Sequence, residues 1–276
     1  MSAQPETISD IVGLWLGYCV SPVLAAGTLI RRARVFHPGG TVYHGVVKPH
    51  PNVKSPYFEL AKNLSGGAIV RFSSSAWKNE SILPDALGFS IRFRVGKPPH
   101  INIEEGAQDL ILVTSPGLEL LPVYLFTTNQ HDFLANTFYG AAPYKVADQS
   151  RSLIRVVPSA VNTTGKTREE KLANAVAQGI AVLQLEVATK DVPDRWHPVV
   201  EVRLDHAYEP KRPITFSPFH AGLGIQPQGF INYLREGPYV FSQFIRNRAA
   251  SAVDAENEVA VEESPKTAKT KPTKKT

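Results

Sequence analysis

GGAIVRFSSSAWKNESILPDALGFSIRFRV, residues 66–95, decides the fold. Its ends, GGAIVRFS (66–73) and LGFSIRFRV (87–95), are rich in β-branched and aromatic side chains and sit at hairpin distance. In the second, Phe89, Ile91 and Phe93 alternate with Ser90, Arg92 and Arg94, which predicts a strand with one buried and one wet face. Working outward, the same texture recurs in INIE (101–104), DLILVTS (109–115), SLIRVVPS (152–159), AVLQLEVAT (181–189), PVVEVRLDH (198–206) and PITFS (213–217). Eight such runs at this spacing predict an α+β chain built on an antiparallel eight-stranded β-barrel or sandwich. Helices are expected at 131–138, at 166–181 started by Thr163 or Thr164, and across the amphipathic stretch 229–248, broken near Gly237–Pro238.

The flanks behave differently. Residues 11–30, IVGLWLGYCVSPVLAAGTLI, carry no charge and stop at Arg31, Arg32 and Arg34. Three glycines and Ser21–Pro22 argue for a helical segment docked on or beside the barrel, in weak contact with a membrane surface through 11–34, over a membrane span. The opening MSAQPETISD lacks a positive n-region, so secretory export is not expected. The chain divides into that apolar segment at 1–30, a barrel domain at 31–248 and a tail at 249–276 poor in large apolar side chains, expected to be disordered.

At 43% hydrophobic and 20% charged, the chain is an ordinary globular protein. The net charge of +5 is short of the basic stripe of a nucleic-acid module, so no nucleic-acid partner is expected. The tail balances five lysines against five acids, so the surplus lies within 1–248. The lone cysteine, Cys19, excludes intrachain disulfides and suits a cytoplasmic setting. No GxGxxG, GxxxxGK[ST] or HExxH motif occurs.

Three segments carry candidate chemistry. In Arg34-Val35-Phe36-His37-Pro38-Gly39-Gly40, a histidine before a Pro-Gly-Gly turn can face a pocket, although a satisfied core histidine explains the same letters. In Val70-Arg71-Phe72-Ser73, Arg71 shares a face with Ser73; it is either paired inward or exposed on a half-wet strand. In Arg235-Glu236-Gly237-Pro238-Tyr239, a helix would bring guanidinium and phenol together at i and i+4, with Arg246 seven residues on. Such a cation lowers the phenol's pKa from about 10, so the phenolate can bind ferric iron; an ordinary surface helix is the alternative.

Taken in order, these segments resemble the haem-dependent catalases. The family's R-V-x-H-x-x-G is matched at Arg34, Val35, His37 and Gly40, its V-R-F-S at Val70–Ser73, and its D-x-x-G-F-x-[VI]-[KR]-F at Asp85–Phe93. Asp109-Leu110-Ile111, Gly224-Ile225-Gln226-Pro227, Arg235, Tyr239 and Arg246 complete the series. The resemblance implies a catalase-like barrel with peripheral helices and haem as cofactor. It implies that Tyr239 ligates the iron beside Arg235, that Arg34, Arg71 and Arg246 hold the propionates, and that His37 is the distal acid–base with Ser73 on its ring. Thr114 falls where the family has a distal asparagine, so the implied activity is a hydroperoxide-consuming peroxidase with weak catalase action. A hydroperoxide-rearranging enzyme and a non-catalytic haem-binding or haem-sensing barrel are the alternatives. A homodimer is expected; the intertwined tetramer of longer catalases is not implied.

Overall fold

The computed structural model describes residues 11–12, 15–16, 40–75, 83–93, 106–117, 120–140, 142–159, 163–189, 191–210 and 214–234. Its strands are β1 (Thr41–Pro49), β2 (Gly66–Ser74), β3 (Leu87–Phe93), β4 (Gln108–Val113), β5 (Phe138–Tyr139), β6 (Tyr144–Val146), β7 (Gln149–Pro158), β8 (Val182–Thr189), β9 (His197–Ala207) and β10 (Ile225–Pro227). Pairing runs β7-β5-β4-β3-β2-β1-β9-β8 and returns from β8 to β7, so eight antiparallel staves close into a barrel. Closure leaves no open edge among those eight. Two short strands, β6 and β10, extend the sheet from β7.

The barrel interior follows from the alternation in residues 66–93. Phe89 stands opposite Phe72, Ile91 opposite Val70 and Phe93 opposite Ala68, and all six are buried. Phe133 and Phe138 join them, each with its ring centroid within 5.9 Å of Phe72. Helices α1 (Phe58–Leu64) and α3 (Arg168–Ala177) add Leu60, Ala61, Leu64, Leu172, Ala175 and Val176 to the same core. Helix α2 (Leu121–Thr127) lies outside, with Val123 and Phe126 exposed, and α4 (Phe230–Leu234) closes the described chain.

The structure corrects several expectations. The face of β3 opposite the core is not wet: Ser90 is 7% exposed and Arg92 only 1%. A strap, residues 214–223, covers it, with Ile214 and Phe216 packed on Ile69, Val42 and Ile111. PITFS is therefore a cover and not a stave, since Ile214–Ser217 joins no strand ladder. The eighth-stave count holds because β1 and β5, which the sequence did not mark, take part. Residues 131–138 form one 3-10 turn, Phe133–Ala135, instead of a helix. Asn136 ends it by donating to the Asn129 and Asp132 carbonyls and accepting from the Asn129 amide.

Helix α3 starts at Thr167, whose hydroxyl accepts from the Glu170 amide, and not at Thr163 or Thr164. Those two are engaged elsewhere, Thr163 on the Asp132 carboxylate and the Thr164 carbonyl on Asn174. Residues 101–104, 235–248 and the tail lie outside the described residues, as does most of 1–30. Of the last, Ile11, Val12, Trp15 and Leu16 are helical and exposed. Among the described residues no helix is long and apolar enough to cross a membrane.

The strap comes close enough to the barrel wall to require glycine. A Cβ on Gly222 would stand 2.6 Å from the carbonyl carbon and oxygen of Gly106. Backbone cannot give way cheaply, so Gly222→Ala should cost about 1–3 kcal/mol in stability, read as a lowered thermal midpoint.

Candidate functional site

On β2, Ile69, Arg71 and Ser73 project from the face opposite the core. Register places Ser90 of β3 and Val42 of β1 beside Arg71, and Gly88 beside Ser73. Ser73, Gly88 and Ser90 are small, so the outer wall here is a low floor, with the Arg71 guanidinium as its long cationic side chain. All four are buried. A planar guanidinium so held can grip a carboxylate or phosphate with two parallel hydrogen bonds.

Gly40 meets this floor directly. A Cβ built there would lie 2.4 Å from the Phe72 carbonyl oxygen and 3.0 Å from both Nε and Nη2 of Arg71. Only a residue without a side chain lets the backbone at position 40 lie this close to the guanidinium. The sequence alternation put Arg71 and Ser73 on one face of β2, where they lie; Arg34, His37, Arg235, Tyr239 and Arg246 lie outside the described residues.

Thr114 follows β4 and is 3% exposed. Its Oγ accepts from the Leu87 amide at 3.1 Å and lies 2.8 Å from the Thr128 Oγ. Thr128 spends its own proton on the Tyr124 carbonyl at 2.6 Å, so the Thr114 hydroxyl must donate to Thr128. Its one proton is committed to anchoring helix α2. Those bonds tie Thr114 to the barrel wall.

The strap is fixed by charges on the same outer face. Arg92 donates from Nε and Nη2 to the two carboxylate oxygens of Asp109, each at 2.7 Å, and from Nη2 to the Thr215 carbonyl at 2.6 Å. Asp109 Oδ2 also accepts from the Ser217 amide at 2.9 Å and stands 2.8 Å from His220 Nδ1. Burial by itself would raise the Asp109 carboxyl, but hydrogen bonds from Arg92 and His220, with their charges, outweigh it and hold its pKa below the ordinary value. Gln108 completes the clamp, donating to the His220 carbonyl at 2.9 Å.

Beyond the strap, α4 is anchored by the buried Asn232, whose Nδ2 donates to Pro143 at 2.7 Å and Gln228 at 3.1 Å. Tyr233 packs its ring on Phe219 at 5.8 Å. Those contacts hold α4 against the rest of the described fold.

The sequence missed the Arg92–Asp109–His220 cluster as a unit. Outward positions of adjacent strands signalled the first pair; nothing local signalled His220. It also missed Arg168, 2% exposed, which donates to Ser74 Oγ at 2.6 Å and lies over the Phe133 ring at 5.2 Å.

The structure aligns over 89% of the chain with a bacterial catalase, at TM-score 0.54 and 14% identity. The fold is catalase-like. A fungal catalase aligns over 80% of the chain, with TM-score 0.48 and 14% identity. The chain spans 63% of the bacterial catalase and 64% of the fungal one. No family model and no curated protein matches the sequence. On this catalase-like barrel, Arg71, Ser73 and Thr114 are the residues of the sequence-predicted site that lie within the described residues.

Proposed function

We propose that the chain is a haem-dependent oxidoreductase that consumes hydroperoxides, acting mainly as a peroxidase. The observation that carries this reading is the buried Arg71 guanidinium beside Ser73 on a glycine–serine floor, with Gly40 pressed against it. That cradle suits the carboxylate edge of a flat, anionic cofactor, and Gly40 lies three residues after His37 in the motif matched to the catalases. Arg71, with Arg34 and Arg246, would hold the propionates, and Tyr239, kept as phenolate by Arg235, would be the axial ligand. When bound, haem supplies the redox chemistry of the reaction.

His37 takes the proton from the near oxygen of the hydroperoxide and delivers it to the far oxygen, which leaves as water or an alcohol. Ser73 holds the His37 ring in the orientation that allows both transfers. Thr114 has no proton to offer a bound peroxide, because it donates to Thr128. Its committed hydroxyl supports a peroxidase that needs a separate reductant over fast dismutation.

The test is an absorption spectrum of the purified chain titrated with haem. The expected result is one haem per chain with a Soret band that Tyr239→Phe displaces or abolishes. A missing Soret band, or one that Tyr239→Phe leaves unchanged, overturns the reading.

A further inference from the structure

We infer that His44, Asp205 and His206 form a divalent transition-metal site on the outer wall of the barrel, where β1 meets β9. The inference stands independently of the haem reading. Register along this seam shifts between His44 and Gly45: Gly45 faces Leu204, whereas His44 faces His206. Asp205 is the additional residue of a β-bulge on β9. Leu204 is buried in the core while Asp205 and His206 are both exposed, so the bulge turns two successive side chains outward where a regular strand would turn one.

His44 points from the same wall, on the face that carries Val42 and Ile69. Its ring stacks on His206 with centroids 5.2 Å apart and planes 18° from parallel. Ligand atoms of the three residues all lie within 4.8 Å of one another. Asp205 Oδ2 already stands 3.0 Å from His206 Nδ1.

Two imidazoles and a carboxylate are a donor set for copper(II), nickel(II) or zinc(II), not for calcium or magnesium, which prefer all-oxygen shells. Metal–nitrogen bonds of about 2.0–2.1 Å require the donors to close by roughly 1–2 Å. The side chains of His206 and Asp205, 61% and 58% exposed, face solvent and can supply that movement, while His44 is buried and supplies the fixed arm. Three protein ligands leave positions open to water. The ion would tie β1 to β9, strands remote in sequence, and the Irving–Williams order makes copper(II) its tightest occupant.

The experiment uses the untagged full-length chain, stripped with a chelator and titrated separately with copper(II), nickel(II) and zinc(II) in a calorimeter. One ion per chain is expected, with copper(II) tightest and its electron paramagnetic resonance showing nitrogen coupling. Loss of an outer-shell partner weakens such sites about 10–100-fold, so loss of a ligand in His206→Ala should reach roughly 100-fold. Asp205→Asn should weaken binding by a smaller factor. Because His206 is exposed, circular dichroism of His206→Ala should match the wild type. No stoichiometric uptake by the wild type, or uptake unchanged in His206→Ala, overturns the site.

Discussion

Asp109→Ala should lower the thermal midpoint of the barrel by about 6–20 °C. The variant leaves Arg92, 1% exposed, without the carboxylate that takes two of its hydrogen bonds. Stranding one partner of a buried pair costs about 3–5 kcal/mol, and a domain of this size loses about 2–4 °C per kcal/mol. The Ser217 amide and His220 lose their acceptor as well, so the strap should loosen with the barrel. Replacing the pair together, Arg92→Leu with Asp109→Leu, should recover much of the loss, because well-packed apolar residues substitute for a buried ion pair at little cost. A single variant melting within about 2 °C of the wild type would show that the pair is not what holds the strap.

The same carboxylate sets an acid limit. Its folded pKa lies below the unfolded value of about 3.9, so its contribution is complete above that value and is lost as pH falls through the folded one. Wild-type stability should therefore fall away below about pH 4, and the doubly apolar variant should lack that component of the decline. Thermal melts of both proteins between pH 2 and pH 7 read it out.

These charges also mark how far the sequence could be read. Alternation through Phe89, Ile91 and Phe93 was legible because side-chain period alone decides which positions face a core. It could not say whether the opposite face meets water or another segment. That answer comes from Thr215, Ser217 and His220, which reach Arg92 and Asp109 from more than 100 residues away. β1 went unmarked because its histidine, glycine and proline, following Pro38-Gly39-Gly40, read as a continued turn, although pairing to both β2 and β9 makes it a central stave. Arg71 and Ser73 were legible as co-facial, since two residues in one strand need no tertiary information.

Thr114 shows the opposite limit. A hydroxyl in place of an amide suggested a weaker donor, and only the chain Thr114 to Thr128 to Tyr124 reveals that its proton is already assigned. The His44–Asp205–His206 group was hidden for a related reason: it depends on a one-residue register shift, and a bulge is invisible to a reading that assumes strict alternation.

His37→Ala should keep haem and lose turnover. On the proposed mechanism the imidazole carries a proton between two peroxide oxygens and makes no bond to the cofactor, so haem affinity should change by only a few fold. Peroxide-dependent oxidation of a dye should fall by about 10²–10⁴, the range for removing a general acid–base group. That corresponds to about 3–5 kcal/mol of barrier. The comparison needs free haem at equal concentration as the baseline. Oxidation retained within threefold of wild type would remove His37 from the mechanism, and a wild type no faster than free haem would leave a haem-binding barrel without turnover. Rapid oxygen release from hydrogen peroxide by the wild type would contradict the inference from Thr114, because dismutation would then proceed without a hydroxyl proton at that position. Consumption of a lipid hydroperoxide with no reductant present would instead favour rearrangement, since a peroxidase must draw its two electrons from a second substrate.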